Sequence, residues 1–291
     1  MICGLPRCSG SGGSLPCIAI KVLLPSTVGI THYVERAAAG FLMEKELRYL
    51  KDALEHPVRP LVSIMGGAKI SDKIEVIEHL LDEVDLLLIG GAMMFTFLKS
   101  QGKSIGRSYC ENDKLDLARR LLSKAAGAGP GSQSKIVLPV DAVASSSMED
   151  ESSAHVVPAD HIPEDEMGLD IGPKTVAKYS EILRSAETIV WNGPMGLFEK
   201  DAFASGTIGI ARAIADSKAL SIIGGGDSAA AIFKAGVADR ITYISVGGGA
   251  SLKLLAGQIL PGVAALNDRN ALSDIESQTT NEAEPSVSRR S

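Results

Sequence analysis

The chain is poor in the residues that build stacking platforms, metal clusters and disulfide frameworks. Aromatic residues make up 4% of it, with Trp191 the single tryptophan, so no stacking surface for single-stranded nucleic acid is expected. The net charge of −6 has the wrong sign for the basic stripes that grip a phosphate backbone. Cys3, Cys8, Cys17 and Cys110 form no Cys-x-x-Cys pair, which argues against a zinc site or a disulfide framework and for a reducing cytoplasm. His32, His56, His79, His155 and His161 never fall in a metal-ligand spacing such as His-Glu-x-x-His. The apolar run Leu15 to Leu24 is broken by Pro16 and Lys21 and is too short to span a bilayer, so no membrane partner is expected. Two phosphate-binding signatures are missing as well. Without Gly-x-x-x-x-Gly-Lys-Ser/Thr the chain is no P-loop protein, and without Gly-x-Gly-x-x-Gly the dinucleotide dehydrogenase reading is weak.

What remains is a chain of 291 residues, 45% hydrophobic, which is enough for one large domain or two ordinary ones. Residues 1–25 are Gly/Ser-rich at first and carry no sustained period, although Ile18 to Leu24 could form a strand. Apolar residues at three-four spacing, from Ile30 through Tyr33, Phe41 and Leu47 to Leu54, predict one amphipathic helix running from about Gly29 to Leu54. Short apolar runs then alternate with helical patterns. Strands are expected at 61–65, 85–89, 135–138, 188–191, 220–223 and 241–245, with a long Ser/Asp/Glu-rich loop over 144–168 that could hold a short edge strand. Past Asn267 the polar, serine-rich composition predicts a disordered tail. Strand–helix alternation with apolar strands predicts a three-layer α/β fold, a parallel Rossmann-like sheet with helices on both faces.

Ligands of such sheets sit beyond the carboxyl ends of the strands. Here those ends carry glycines at 66–67, 90–91, 193 and 196, 224–226 and 247–249. One glycine turn is an ordinary feature, but five converging on one edge point to a phosphate or nucleotide site. Gly224-Gly-Gly-Asp-Ser228 combines a tight turn, a helix start with Asp227 or Ser228 as its expected cap, and in Asp227 a hard oxygen ligand suited to Mg²⁺. Lys69 and Lys73 stand four apart in Gly66-Gly-Ala-Lys-Ile-Ser-Asp-Lys73, one turn apart if the helix has begun. They are either solvated surface lysines or a pair of charges suited to a transferring phosphoryl group, with Asp72 between them. Asn192 to Glu199 offers polar groups and an apolar shelf; Glu199 could accept from ribose hydroxyls or simply face solvent.

These segments, in this order and spacing, resemble phosphoglycerate kinases. The resemblance rests on Ser26-Thr-Val-Gly29, Gly40-Phe-Leu-Met-Glu-Lys-Glu-Leu47, Gly66 to Lys73 and Met167-Gly-Leu-Asp-Ile-Gly-Pro173. It continues through Val190-Trp-Asn-Gly-Pro-Met-Gly-Leu-Phe-Glu199, Gly224 to Ser228 and Gly247-Gly-Gly-Ala-Ser-Leu252. It covers about Ser26 to Asn267 and only the carboxyl-terminal half of the family pattern. It implies a phosphotransferase of glycolysis that moves a phosphoryl group between 1,3-bisphosphoglycerate and ADP, with Mg²⁺ accompanying the nucleotide. By position, Lys73 and Lys69 would lie by the nucleotide phosphates, Lys73 stabilising the transferring group, with Asp72 orienting them and Gly67 and Ala68 alongside. Gly91, Gly168 and Gly193 would line the adenine-ribose slot with Met195 and Phe198, and Glu199 would hold the ribose. Gly225, Gly226 and Ser228 would meet phosphate, Asp227 would ligate Mg²⁺, and Gly248 and Gly249 would complete the cradle. Ala92, Ser228 and Val246 depart from the family's frequent glycine and threonines, and Val22 and Leu24 stand where it carries an arginine and a histidine.

The organisation expected on this basis is a segment 1–25 unrelated to the family and an inter-domain-type helix over 26–57. A nucleotide-binding domain over 58–268 and a tail over 269–291 complete it. The family's 3-phosphoglycerate-binding first domain has no counterpart in the pattern. ATP and ADP are therefore the expected partners, and 3-phosphoglycerate or 1,3-bisphosphoglycerate only if that domain is supplied. A monomer is expected. The chain is then either a phosphoglycerate kinase or a nucleotide-binding module unable to turn over alone.

Overall fold

A computed structural model describes residues 28–34, 37–127 and 134–266. The expectations for residues 1–25 and for the tail beyond Asn267 lie outside the described residues.

Contacts divide the chain into two compact units, with the boundary inside the first α-helix, at Lys45/Glu46. The described parts of the smaller unit include a 3₁₀ turn at Gly29–Tyr33 and the start of α1 (Phe41–Glu55). The single helix expected over 29–54 is thus a short turn and a later helix. Val34 is extended, and the Gly40 carbonyl accepts the first helical bond from the Glu44 N–H at 2.9 Å. Glycine is disfavoured inside a helix and tolerated at its entry, so Gly40 marks the start that the apolar spacing blurred.

The larger unit, Glu46–Gln258, holds the sheet. In chain order it begins with β1 (Leu61–Met65), α2 (Ile74–Glu83), β2 (Leu86–Ile89), α3 (Met93–Ser100), β3 (Ser104–Ile105) and α4 (Leu115–Ala125). β4 (Ile136–Val137), β5 (Asp141–Ser145), β6 (His155–Pro158), β7 (His161–Ile162) and β8 (Met167–Ile171) follow. The last third contains α5 (Pro173–Arg184), β9 (Thr188–Asn192), α6 (Ser205–Asp216), β10 (Leu220–Gly224), α7 (Gly226–Ala235), β11 (Tyr243–Ile244) and α8 (Gly249–Leu255). Six parallel strands form the main sheet in the order β11-β10-β9-β1-β2-β4. α2 packs with α4 and α8, while α5 packs with α6 and α6 with α7, so helices flank the sheet as expected.

β1 and β9 are buried at every position, which explains why they read as unbroken apolar runs rather than alternating ones. The chain runs outward from β1 through β2 to β4, then returns to β9 on the other side of β1 and continues through β10 to β11. The winding therefore reverses between β1 and β9, and in open α/β sheets that reversal leaves a crevice at the carboxyl edge.

The segment 144–168 holds more strand than the single short edge strand allowed for it. β5 pairs antiparallel with β6 and β8 in a three-stranded sheet, and β3 pairs parallel with β7. These strands are two to five residues long and partly exposed, with Val156 at the surface, so a period of two had too few repeats to stand out among Ser and Asp.

Candidate functional site

The glycine turns that end β1, β2 and β9 are built into one another. Gly67 N–H donates to the Pro194 carbonyl and Gly91 N–H to the Met195 carbonyl, both at 2.9 Å, and Met93 N–H reaches the Gly67 carbonyl at 3.1 Å. Gly91 has φ +62°, and a side chain there would overlap the Gly67 backbone, with its carbonyl oxygen only 2.5 Å from the added carbon. Glycine at 91 is thus required twice, by conformation and by approach. Its neighbour Gly90 meets Met195 in the same way.

Lys73 reaches into the crevice at the reversal point. Its Nζ donates to the Gly66 carbonyl at 2.6 Å and to the Asn192 carbonyl at 3.2 Å, so it bridges the ends of β1 and β9. Burial lowers its pKa from 10.5 to about 8, against the opposing pull of the Asp227 and Asp72 charges. α2 starts at Ile74, with Lys73 as its N-cap residue, so Lys69 and Lys73 stand on a turn and not one helical turn apart. A cation at a helix N-terminus opposes the helix dipole, a local imbalance that a bound anion would relieve.

Around Lys73 lies a polar cleft of about 380 Å³. It brings together Gly67, Ala68, Lys69, Asp72, Gly193, Gly225, Gly226, Asp227, Ser228, Gly248 and Gly249, all picked out by sequence. Neither Asp227 nor Ser228 caps α7. Gly225 is the N-cap residue, at φ +93°, and the Ala229 N–H makes the first helical bond to its carbonyl at 3.1 Å. The earlier N–H groups of that turn have no partner within the helix. Ser228 is fully buried and its hydroxyl accepts the Gly193 N–H at 2.6 Å, so it ties the β10 turn to the β9 turn. Asp227 is exposed at the cleft. Among the described residues no group of three or more His, Cys, Asp or Glu is placed to hold a metal by itself. A single carboxylate with open space suits Mg²⁺, which keeps most of its shell for water and phosphate oxygens.

A second, mostly apolar cleft of about 520 Å³ shares Gly67, Ala68, Pro194 and Asp227 with the first. It is lined by the expected Gly91, Gly168, Met195 and Glu199, and also by Phe95, Arg107, Tyr109 and Met148. A side chain at Gly168 would collide with the Phe95 ring, so the glycine makes room for that wall. Phe198 is not brought to either cleft. It is buried in the core, and its carbonyl accepts from Lys234 Nζ at 2.8 Å.

Besides Phe95, Arg107, Tyr109 and Met148, four polar residues were not picked out from the sequence as site residues. Asn192, 3% exposed, lines the polar cleft, and its Nδ2 has no hydrogen-bond partner. Asp170 lines the apolar cleft and accepts the Gly206 and Ile171 N–H groups at 2.6 and 2.9 Å. Burial pushes its carboxyl up to about 8 despite those donors. Glu46 of α1 accepts the Val246 N–H at 2.8 Å and the Ser245 hydroxyl at 2.7 Å, which steadies the approach to Gly247–Gly249. Glu111 binds the lysine turn from a different part of the chain. The spacing of Glu46 in its helix was visible, but nothing local tells that a polar residue will meet a partner 200 positions away.

A parallel sheet with a lysine-bearing crevice at its winding reversal and an apolar slot beside it places the protein among Rossmann-like α/β domains. The family can be stated more closely. The family model for phosphoglycerate kinase matches residues 23–258, and the chain belongs to the phosphoglycerate kinase family. It is 58% identical over 246 residues to the phosphoglycerate kinase of Prosthecochloris aestuarii, covering 84% of this chain and 61% of that one. Against an enzyme of that name from Clostridium botulinum the identity is 53%, over 84% of this chain and 60% of the relative. The solved phosphoglycerate kinase of Coxiella burnetii superimposes with a TM-score of 0.78 at 44% identity, over 83% of this chain and 62% of that one. The one from Pyrococcus horikoshii gives 0.71 at 36%, over 83% and 60%. The chain thus spans about three fifths of the length of the curated relatives it matches.

Proposed function

We propose that this chain supplies the Mg-nucleotide half of the phosphoglycerate kinase reaction, 1,3-bisphosphoglycerate + ADP = 3-phosphoglycerate + ATP, in the glycolysis of the cytoplasm. The observation that carries the reading is the Lys73 ammonium at the β1/β9 crevice, ringed by glycine turns from four strand ends, those of β1, β9, β10 and β11. The nucleotide base enters the apolar slot, with Glu199 at the ribose and Met195 and Gly168 against the ring. The phosphates pass over Gly67 and Ala68 into the polar cleft. There the N–H groups at the start of α7 and the Lys69 and Lys73 side chains meet their charge.

In the transfer, an ADP β-phosphate oxygen forms a bond to the acyl phosphorus as the bond to the carboxyl oxygen breaks, and the leaving group departs as a carboxylate. No proton is moved, so the chain needs no general base. Lys73 neutralises charge on the phosphoryl oxygens, and its fixed bonds to two carbonyls mean that little reorganisation accompanies the step. Asp227, together with the nucleotide phosphates, would hold Mg²⁺, which supplies further charge neutralisation when bound.

A second reading follows from the three-fifths coverage. The chain taken by itself binds Mg-nucleotide without turnover, the glycerate being gripped by a part of the family pattern outside the matched three fifths. Calorimetry and a coupled assay on the chain separate the two. Mg-ADP binding with turnover at least a thousandfold below a full-length relative, on the order of losses seen when reactants are no longer positioned, is the expected result. Absence of Mg-ADP binding would overturn both readings, and turnover matching the relative would overturn the second.

A further inference from the structure

We propose that Glu111 is a positioning residue for the phosphate cleft, holding the Lys69–Lys73 turn in the shape that aims its charges; this rests on the nucleotide reading above. Glu111 stands between β3 and α4, 40 positions from the turn it serves. Its Oε2 accepts the Ile70 N–H at 2.6 Å and the Ser71 N–H at 3.2 Å, and its Oε1 accepts the Ser71 hydroxyl. Its own N–H donates to Thr96 Oγ1, and Thr96 is fully buried on α3. The next residue, Asn112, accepts from Lys99 of the same helix at 2.8 Å. The carboxylate is therefore fastened to the core on one side and grips the turn on the other.

The turn is also held by the buried Ile70 side chain, by the bond from the Lys73 N–H to the Ile70 carbonyl at 2.9 Å, and at its far end by the Lys73 ammonium on the Gly66 and Asn192 carbonyls. Glu111 fixes the remaining freedom at Ile70 and Ser71, directly after Lys69 and directly before Asp72. It has a second consequence. N–H groups in a turn ahead of a helix would otherwise form an anion nest of their own. Here two of them are occupied by a protein carboxylate, so this turn presents lysine side chains to a phosphate while the β10 turn presents backbone N–H groups. The negative charge also lies at the start of α2, where it offsets the dipole end that Lys73 opposes.

The test compares the full chain with Glu111→Ala and Glu111→Gln by amide hydrogen exchange and by calorimetry with Mg-ADP and with adenosine. Exchange over 68–73 is expected to rise about tenfold in Glu111→Ala while β1 is unchanged, since local opening no longer breaks those bonds. Mg-ADP affinity should fall about tenfold, the scale of one charge-assisted hydrogen bond, with adenosine affinity unchanged. Glutamine retains an acceptor oxygen in the same place and should recover both to within about threefold of wild type. Unchanged exchange over 68–73, equal losses for adenosine and Mg-ADP, or a glutamine variant no better than alanine each overturns the proposal. A wild-type chain that binds no Mg-ADP would defeat the nucleotide reading, while the exchange comparison still decides the role of Glu111. Should Glu111→Ala not fold, Ser71→Ala removes one of the three bonds and should raise exchange over 69–72 about threefold; no rise would overturn the proposal.

Discussion

The two clefts share four residues yet are made on opposite principles. The polar cleft is built from turns. Its walls are backbone and glycine, its charge comes from Lys69, Lys73, Asp72 and Asp227, and on the proposed reading it recognises by electrostatics. The neighbouring cleft is built from side chains already needed by the core, with Met195 and Phe95 fully buried, and it recognises by shape. Substitution should therefore separate them. Loss of a charge should act on phosphate and spare the base, whereas a change in the shared glycine framework should damage both.

The framework variant is expected to have the largest effect. Gly91→Ala forces a side chain onto the Gly67 backbone in a left-handed conformation, so strain and overlap add. Unfolding free energy should fall by about 2–4 kcal/mol in denaturant titrations. Adenosine and Mg-ADP binding should be lost together; retention of either would mean that the turns are not one unit.

Lys73→Ala comes next. Removing a partly desolvated cation from its anion should lower Mg-ADP affinity about 30-fold, with adenosine unaffected. The same residue predicts a pH dependence. Its pKa in the folded, unliganded chain is about 8, so the charge that attracts phosphate is present below that pH and lost as pH rises through it. Mg-ADP affinity should decline above pH 8 in wild type, and the decline should vanish in Lys73→Met. For stability the sign is opposite: between about 8 and 10.5 the unfolded lysine holds a proton that the folded one has released, so stability rises with pH there.

The smallest effect is expected at the rim of the apolar slot. Glu199 is exposed, and Glu199→Gln should weaken adenosine and Mg-ADP equally, by about two- to threefold, since an exposed polar contact exchanges with water. A loss confined to Mg-ADP would move Glu199 from the ribose to the phosphates.

The polar cleft was readable in the sequence because its components are local. Gly66-Gly67, Gly224 to Ser228 and Gly247 to Gly249 each follow an apolar run, and the chemistry of a strand-ending turn lies within the same few residues. The apolar slot was only partly readable. Met195 and Gly168 were picked out through the family resemblance, but the adjacent Phe198 turns into the core, since a shelf of apolar residues does not say which of them faces a cleft. Arg107, Tyr109 and Met148 come from segments that carried no motif. Asp170 and Asn192 lay inside recognised motifs, yet their burial was invisible because it depends on what packs across the sheet. The antiparallel strands around β5 were legible only as room for one short edge strand, because a few residues per strand do not sustain a period.

Glycines after apolar strands determined, from sequence alone, a parallel α/β fold and the edge on which the clefts lie, because both the strand signal and the turn signal are short-range. Tertiary structure decided which of the charges on that edge act together. The reversal of winding sets β9 beside β1, although their paired residues Leu61 and Thr188 lie in distant parts of the chain, and so places two carbonyls around Lys73 Nζ. Packing of the helices also brings Glu111 to the lysine turn and Glu46 to the approach to the last glycine turn. A carboxylate has no sequence signature for the N–H groups it will meet; that pairing exists only once the core has closed and leaving a buried backbone donor without an acceptor becomes costly.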